Sequence, residues 1–273
     1  MKLRTLFLSL LAVLCALPLA ARTVYVARHA QVGIQIKAIK ETRITEDLGI
    51  FQAQKLADFL VKKLKFNGRI YASPFYRTIE TAGYTAKLLN KPVILETGLQ
   101  EMAPYQKPSP PGMTLEQIKR FFKEEAVPGA RYKDNWRLCK ETNNMRLVRV
   151  EKALNAILAE TDGDVLLVSH GASVNDLNKI MSSRAITKQA KKIKGPAWNC
   201  ALYIYELNDQ NKLVNGRYTT EFMDDTELTS NYRCPKIERP NDPRYMTAAQ
   251  DKADRAKRNA KLKTKEKNNS KKK

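Results

Sequence analysis

The sequence predicts an α/β fold, a three-layer α/β/α sandwich around a mostly parallel central sheet. Short β-branched and apolar runs alternate with longer stretches of helical period, the pattern of a sheet covered by helices on both faces. Runs such as Val24-Tyr25-Val26-Ala27 and Val165-Leu166-Leu167-Val168 are apolar at successive positions, as strands buried on both faces must be. A length of 273 residues with 43% hydrophobic residues fits one sizeable domain with an ordinary core.

Taken in order, residues 1–21 are an address. Lys2 and Arg4 precede the apolar run Leu6 to Leu19, and Ala20-Ala21 form a small-residue exit, a secretory signal pattern. The run is shorter than the roughly 20 apolar residues of a comfortable span, so no stable membrane span is expected after cleavage. Export to a periplasmic or external space follows.

The mature domain is expected over 22–230. Strand Thr23 to Ala27 ends on Arg28-His29. A helix within Glu46 to Lys65 carries Ala53, Leu56, Ala57, Leu60 and Leu64 on one face and stops at Asn67-Gly68. Strand Arg69 to Ser73 leads into Ser73-Pro74, which reads as an N-cap and first helical residue of a helix ending near Leu89. Val93 to Glu96 is the third strand. An insert of about 103–143 carries a short helix from Thr114 to Glu125 and is expected to act as a substrate lid, with Tyr105, Lys107, Lys119, Arg120, Arg131, Tyr132, Lys133, Trp136, Arg137 and Lys140. A helix marked by Leu147, Val150, Leu154, Ile157 and Leu158 ends at Asp162-Gly163. Strand Val165 to Ser169 ends on His170-Gly171, and a helix starts near Ala172. Ala201 to Leu207 and Leu213 to Thr219 form a terminal strand pair.

Residues 231–273 form an extension, and the tail from Lys252 is nearly all Lys, Arg, Ala and Asn, too poor in apolar groups to pack. The net charge of +21 implies anionic partners: a small phosphorylated substrate, with weak binding of polyanions or anionic surfaces through the tail. Cys139, Cys200 and Cys234 leave at least one thiol unpaired, and their spacing matches no zinc pattern.

The chain has two histidines, His29 and His170. Both sit at the C-terminal ends of buried strands, the edge where ligands bind in open α/β sheets. Arg28 adjoins one, and the amides of Gly171 and Ala172 at a helix start follow the other, which suits an anion. Arg77, in the first turn after a strand end, supplies a fork able to grip two phosphoryl oxygens. Glu101 stands where a carboxyl group can protonate a leaving oxygen; on spacing Glu96 serves as well.

Together these residues resemble the histidine phosphatase superfamily, which includes phosphoglycerate mutases and many acid phosphatases. Val24-Tyr25-Val26-Ala27-Arg28-His29-Ala30-Gln31 is similar to its strand and Arg-His-Gly signature. Tyr71-Ala72-Ser73-Pro74-Phe75-Tyr76-Arg77-Thr78 with Glu80-Thr81-Ala82 resembles its Ser-Pro, Arg and Thr-Ala helix. Leu99-Gln100-Glu101 resembles its Leu-x-Glu element, and Leu167-Val168-Ser169-His170-Gly171 its Ser-His-Gly element. The helix start Ile44 to Gly49 with Gln52-Ala53 is also similar.

The resemblance implies that His29 is the nucleophile and forms a phosphohistidine. Arg28, Arg77 and His170 bind the phosphoryl oxygens. Glu101 is the general acid, then the base. No metal or other cofactor is needed. Ala30 replaces the family's usual Gly, and Val32, Gln35 and Met102 stand where mutases carry Ser or Thr, Asn and Arg. The last three departures count against the mutase reaction rather than against phosphoryl transfer. The Cys-x5-Arg and Gly-x-Ser-x-Gly patterns of other hydrolytic chemistries are missing. The expectation is therefore an exported phosphomonoesterase. The alternatives are a mutase-type phosphoryl transferase and a catalytically silent polyanion-binding domain of the same fold.

Overall fold

The computed structural model describes residues 21–39, 41–102, 112–138 and 140–230. The expectations placed on residues 1–20, on the tail, on Cys139 and Cys234, and on Tyr105 and Lys107 lie outside the described residues.

The elements are β1 (Arg22–Arg28), β2 (Val32–Ile36), β3 (Glu41–Ile44), α1 (Leu48–Asp58), β4 (Arg69–Ala72), α2 (Tyr76–Leu89), β5 (Val93–Leu95), α3 (Leu115–Phe122), β6 (Ala126–Pro128), α4 (Asn143–Glu160), β7 (Val165–Ser169), α5 (Gly171–Ser183), β8 (Leu202–Leu207) and β9 (Leu213–Thr219). Seven strands form one sheet in the order β6-β5-β4-β7-β1-β8-β9. From β6 to β1 all pairs are parallel, whereas β8 and β9 are antiparallel to their neighbours. This is the expected sandwich.

Both faces are covered. Tyr25, Ala27, Ile70, Leu166 and Val168 point into one apolar layer with Ala53, Leu56, Ile79 and Ala82 of α1 and α2. Val24, Val26, Tyr71 and Leu167 point into the other, against Val150, Leu154, Val174 and Leu177 of α4 and α5. Side chains alternate between faces along a strand, so two apolar layers demand an unbroken apolar run.

Three local expectations change. The first helix does not end on Asn67-Gly68: after α1 a π-type turn, Phe59–Lys63, carries the chain out, and Lys65 takes the left-handed conformation at φ 57°. Gly68 serves close packing, since a Cβ there would sit 1.9 Å from the Asp164 carbonyl oxygen. Ser73 is not an N-cap. Phe75 occupies that position, in extended conformation and with no capping hydrogen bond, which leaves the Ser73 hydroxyl for another task. The short edge strand β6 and the ribbon of β2 and β3 were not anticipated. Three residues ending in Pro128 give little periodicity to detect, and Pro is tolerated on an edge strand.

Candidate active site

The parallel register sets Arg28 opposite Ser169. The next residue of each strand, His29 and His170, therefore leaves the sheet at the same edge. Their ring centroids lie 5.3 Å apart, and both side chains are buried. β4 lies on the other side of β7, so the turn that follows it brings Ser73, Phe75 and Arg77 to the same place.

Hydrogen bonds assign the protons. Nδ1 of His29 lies 2.8 Å from the Ala30 carbonyl oxygen, which can only accept, so Nδ1 carries the hydrogen and Nε2 keeps its lone pair for attack. Nδ1 of His170 lies 3.1 Å from Arg77 Nη2, which can only donate, so Nδ1 accepts; Nε2–H then donates to Ser73 Oγ at 2.9 Å. Burial first, then the charges of Arg77 and Arg28, holds His29 well below the usual histidine range. Burial, then Arg77, does the same to His170. Both surroundings thus favour the neutral imidazole. Arg28 is lowered to about 10, mainly by burial, and stays charged at neutral pH. Its Nη1 donates to the Ala197 carbonyl at 2.9 Å and to Ser230 Oγ at 2.8 Å.

Glu101 arrives from the loop after β5. Its Oε2 is 3.6 Å from His170 Nδ1 and 3.9 Å from Arg77 Nη2. The loop is pinned from beneath: Ser169 Oγ donates to the Leu99 carbonyl at 2.7 Å, and Ser173 Oγ to the Gln100 carbonyl at 2.8 Å. Arg149 donates to the Gly98 carbonyl at 2.6 Å while gripping Glu141 through two bonds. The rival Glu96 is elsewhere. It accepts from the Gly98 amide at 2.8 Å and from Arg131 Nε at 2.7 Å, and so braces the loop instead of facing the histidines.

Part of the insert closes one side. Trp136 packs edge-on against Phe75, with centroids 4.9 Å apart. Arg137 lies over the same ring at 4.5 Å, as does Arg77 at 4.4 Å. Arg137 is paired with Glu41 of β3, which also accepts from the Tyr76 amide at the start of α2, at 3.4 Å. Ser73, Phe75 and Glu41 carried no site role in the sequence reading; Ser73 and Phe75 lie in the stretch that carried the resemblance, and no local pattern marks Glu41.

His29, Glu101 and His170 could each offer one ligand atom to a metal within 4.8 Å of one another. The Arg77 guanidinium enters the same space, and with Arg28 it makes the field positive. The set suits an anion with oxygens to share.

A family model described as the histidine phosphatase superfamily, branch 1, matches residues 24–218. The chain belongs to this superfamily. Among curated proteins, the transcription factor tau 55 kDa subunit of Saccharomyces cerevisiae is 35% identical over 118 residues, 38% of this chain and 26% of the yeast protein. The chain thus spans about a quarter of that relative's length. Among solved structures, the ecdysone phosphate phosphatase of Bombix mori, in complex with tungstate, is similar at 18% identity and TM-score 0.50, over 68% of this chain and 89% of that one. Mycobacterial glucosyl-3-phosphoglycerate phosphatase with inorganic phosphate is similar at 20% identity and TM-score 0.48, over 75% and 98%. In this histidine phosphatase superfamily chain, the residues that carried the resemblance are the ones gathered at the β1 and β7 edge.

Proposed function

We propose that the protein is a phosphomonoesterase that passes the phosphoryl group of a small anionic ester first to His29 and then to water. The observation that carries this reading is the meeting of His29, His170, Arg28, Arg77 and Glu101 at one sheet edge, with the His29 Nε2 lone pair uncommitted. As the ester binds, its negative charge offsets the two guanidinium groups. Protonation of His170 Nδ1 then becomes favourable, and this nitrogen can donate to a phosphoryl oxygen. The His29 Nε2–P bond forms as the P–O ester bond breaks, and Glu101 delivers its proton to the leaving alkoxide. Water then attacks phosphorus, Glu101 takes its proton, and the N–P bond breaks to release inorganic phosphate. Arg28 and Arg77 stabilise the equatorial charge in both steps. A pocket of about 360 Å³ bordered by Arg28, Glu101, Asn175, Trp198 and Ser230 adjoins this set.

A second reading is a catalytically silent, polyanion-binding domain of this fold, with which the name of the yeast relative, a transcription factor subunit, is compatible. The intact set of five side chains favours hydrolysis, and Met102, where mutases carry Arg, favours water over a second substrate as the acceptor. Export rests on the signal pattern of residues 1–21, and weak binding of anionic surfaces on the basic residues from Lys252. The test is rapid quenching with p-nitrophenyl phosphate and no added metal. An acid-labile, alkali-stable phosphoenzyme and its loss in His29→Ala are expected. Full turnover in His29→Ala, or a phosphoenzyme that survives acid, would overturn the assignment.

A further inference from the structure

Residues 224–230 lie beyond the stretch matched by the family, which ends at 218, yet they return to the nucleophile. The turn Asp225–Glu227 is closed by reciprocal bonds between Asp224 and Glu227. It is tied to α1 by Lys55, whose ammonium meets the Glu227 carboxylate at 2.8 Å and 2.9 Å. Met223 and Leu228 anchor the segment in the core.

Thr229 is fully buried. Its carbonyl accepts from the Asn199 amide at 2.8 Å, its hydroxyl donates to Asn199 Oδ1 at 3.3 Å, and the same hydroxyl accepts from Gln52 Nε2 at 3.0 Å. Those two side chains hold the nucleophile loop. Asn199 Nδ2 donates to the His29 carbonyl, and Gln52 Oε1 accepts from the Gln31 amide, each at 2.8 Å. The backbone is gripped on both sides of Ala30, whose own carbonyl sets the His29 tautomer. One residue on, Ser230 Oγ accepts from Arg28 Nη1 at 2.8 Å and borders the same pocket.

We propose that Thr229 and Ser230 are positioning residues of the phosphoryl site. Thr229 sets the backbone of the nucleophile loop through Asn199 and Gln52, and Ser230 aims the Arg28 guanidinium. Because the hydroxyls act through other groups, their removal separates into two effects. Ser230 acts on phosphate binding, since its hydroxyl is the side-chain acceptor that orients Arg28 Nη1, beside the Ala197 carbonyl. Thr229 acts on the attack itself, since a shift of the loop displaces His29 Nε2 from phosphorus. The proposal rests on the reading of His29 as nucleophile and Arg28 as phosphate ligand.

The experiment uses the full chain with Ser230→Ala, Ser230→Thr, Thr229→Val and Thr229→Ser. It measures inorganic phosphate affinity by calorimetry, KM and burst rate on p-nitrophenyl phosphate, and thermal unfolding. Ser230→Ala is expected to weaken phosphate binding and raise KM by about fivefold, with a burst rate within about twofold of the parent. Thr229→Val is expected to slow the burst by about tenfold, with phosphate affinity within about twofold. Ser230→Thr and Thr229→Ser should restore parental values. Parental constants in Ser230→Ala and Thr229→Val overturn the proposal, as does a smaller burst amplitude at unchanged rate, which marks a role in folding alone. If Thr229→Val does not fold, Thr229→Ala takes its place. If the parent forms no phosphoenzyme, the hydrolase reading fails by itself, and unchanged phosphate affinity in Ser230→Ala then overturns this proposal as well.

Discussion

His29 and His170 ride on the two central strands of the sheet, whereas Glu101 rides on a loop. β1 and β7 are locked in parallel register from Val24 opposite Val165 to Arg28 opposite Ser169, with apolar layers on both faces. The floor of the site is thus part of the folding core and cannot move without unpacking it. The carboxylate owes its place to a few hydrogen bonds from Ser169, Ser173 and Arg149 to backbone carbonyls, and its side chain is one-third exposed. Changes to the apolar packing beneath the floor should therefore register in stability, and changes to the loop in rate.

The largest effect expected on the loop side comes from Glu101→Gln. It should slow the phosphorylation burst with an alkyl phosphate by about 10²–10⁴, and with p-nitrophenyl phosphate far less, because nitrophenolate leaves without a proton. The melting temperature should barely change. Equal slowing of both bursts would remove Glu101 from the acid role.

On the floor side, Leu167→Ala in β7 should destabilise the protein by about 2–5 kcal/mol in denaturant titration, because Leu167 is fully buried between the sheet and its helices. The burst rate of the remaining folded protein should stay near the parental value. A variant with full stability and slow chemistry would contradict the contrast.

The buried histidines make the floor acid-sensitive. Their folded pKa values are depressed, while an unfolded histidine titrates near about 6.5. Below that value the unfolded chain takes up protons that the folded state excludes. Stability is thus fully present above about pH 6.5 and is lost as the pH falls, by up to about 1.4 kcal/mol per pH unit for each histidine. Denaturant unfolding between pH 7.5 and 5.5 reads this slope, and His29→Asn should remove one histidine's share. An unchanged slope in that variant would show that His29 is not held neutral.

Ser173→Ala removes one loop tether of 2.8 Å. A single neutral hydrogen bond is worth about 1 kcal/mol, so a several-fold loss with alkyl phosphates is expected. The effect should be smaller with p-nitrophenyl phosphate, and an equal loss with both would place Ser173 outside the acid's support. The smallest effect belongs to removal of residues 252–273. Turnover of a small substrate should not change, while retention on an anionic resin at low salt should fall; lost turnover would show that the tail reaches the site.

The sequence by itself determined the sandwich, the strand ends that bear His29 and His170, and the helix start that bears Arg77. These follow from contiguous apolar runs and helical period, which act over a few residues. It left Glu96 and Glu101 equal on spacing. The resemblance favoured Glu101, and the tertiary structure supplies the physical reason, because Arg131 arrives from the insert to claim one and His170 from β7 to face the other. Ser73 read as a helix cap for the same reason: a hydroxyl before Pro has a good local use, and the imidazole that takes it instead comes from a strand far along the chain. Thr229 and Ser230 had no local signal at all, since their partners Asn199, Gln52 and Arg28 become neighbours only when the chain's last described residues fold back over the sheet edge. A hydrogen-bond partner is a choice among groups brought close by strand order, and strand order is a property of the assembled sheet, not of any stretch of sequence.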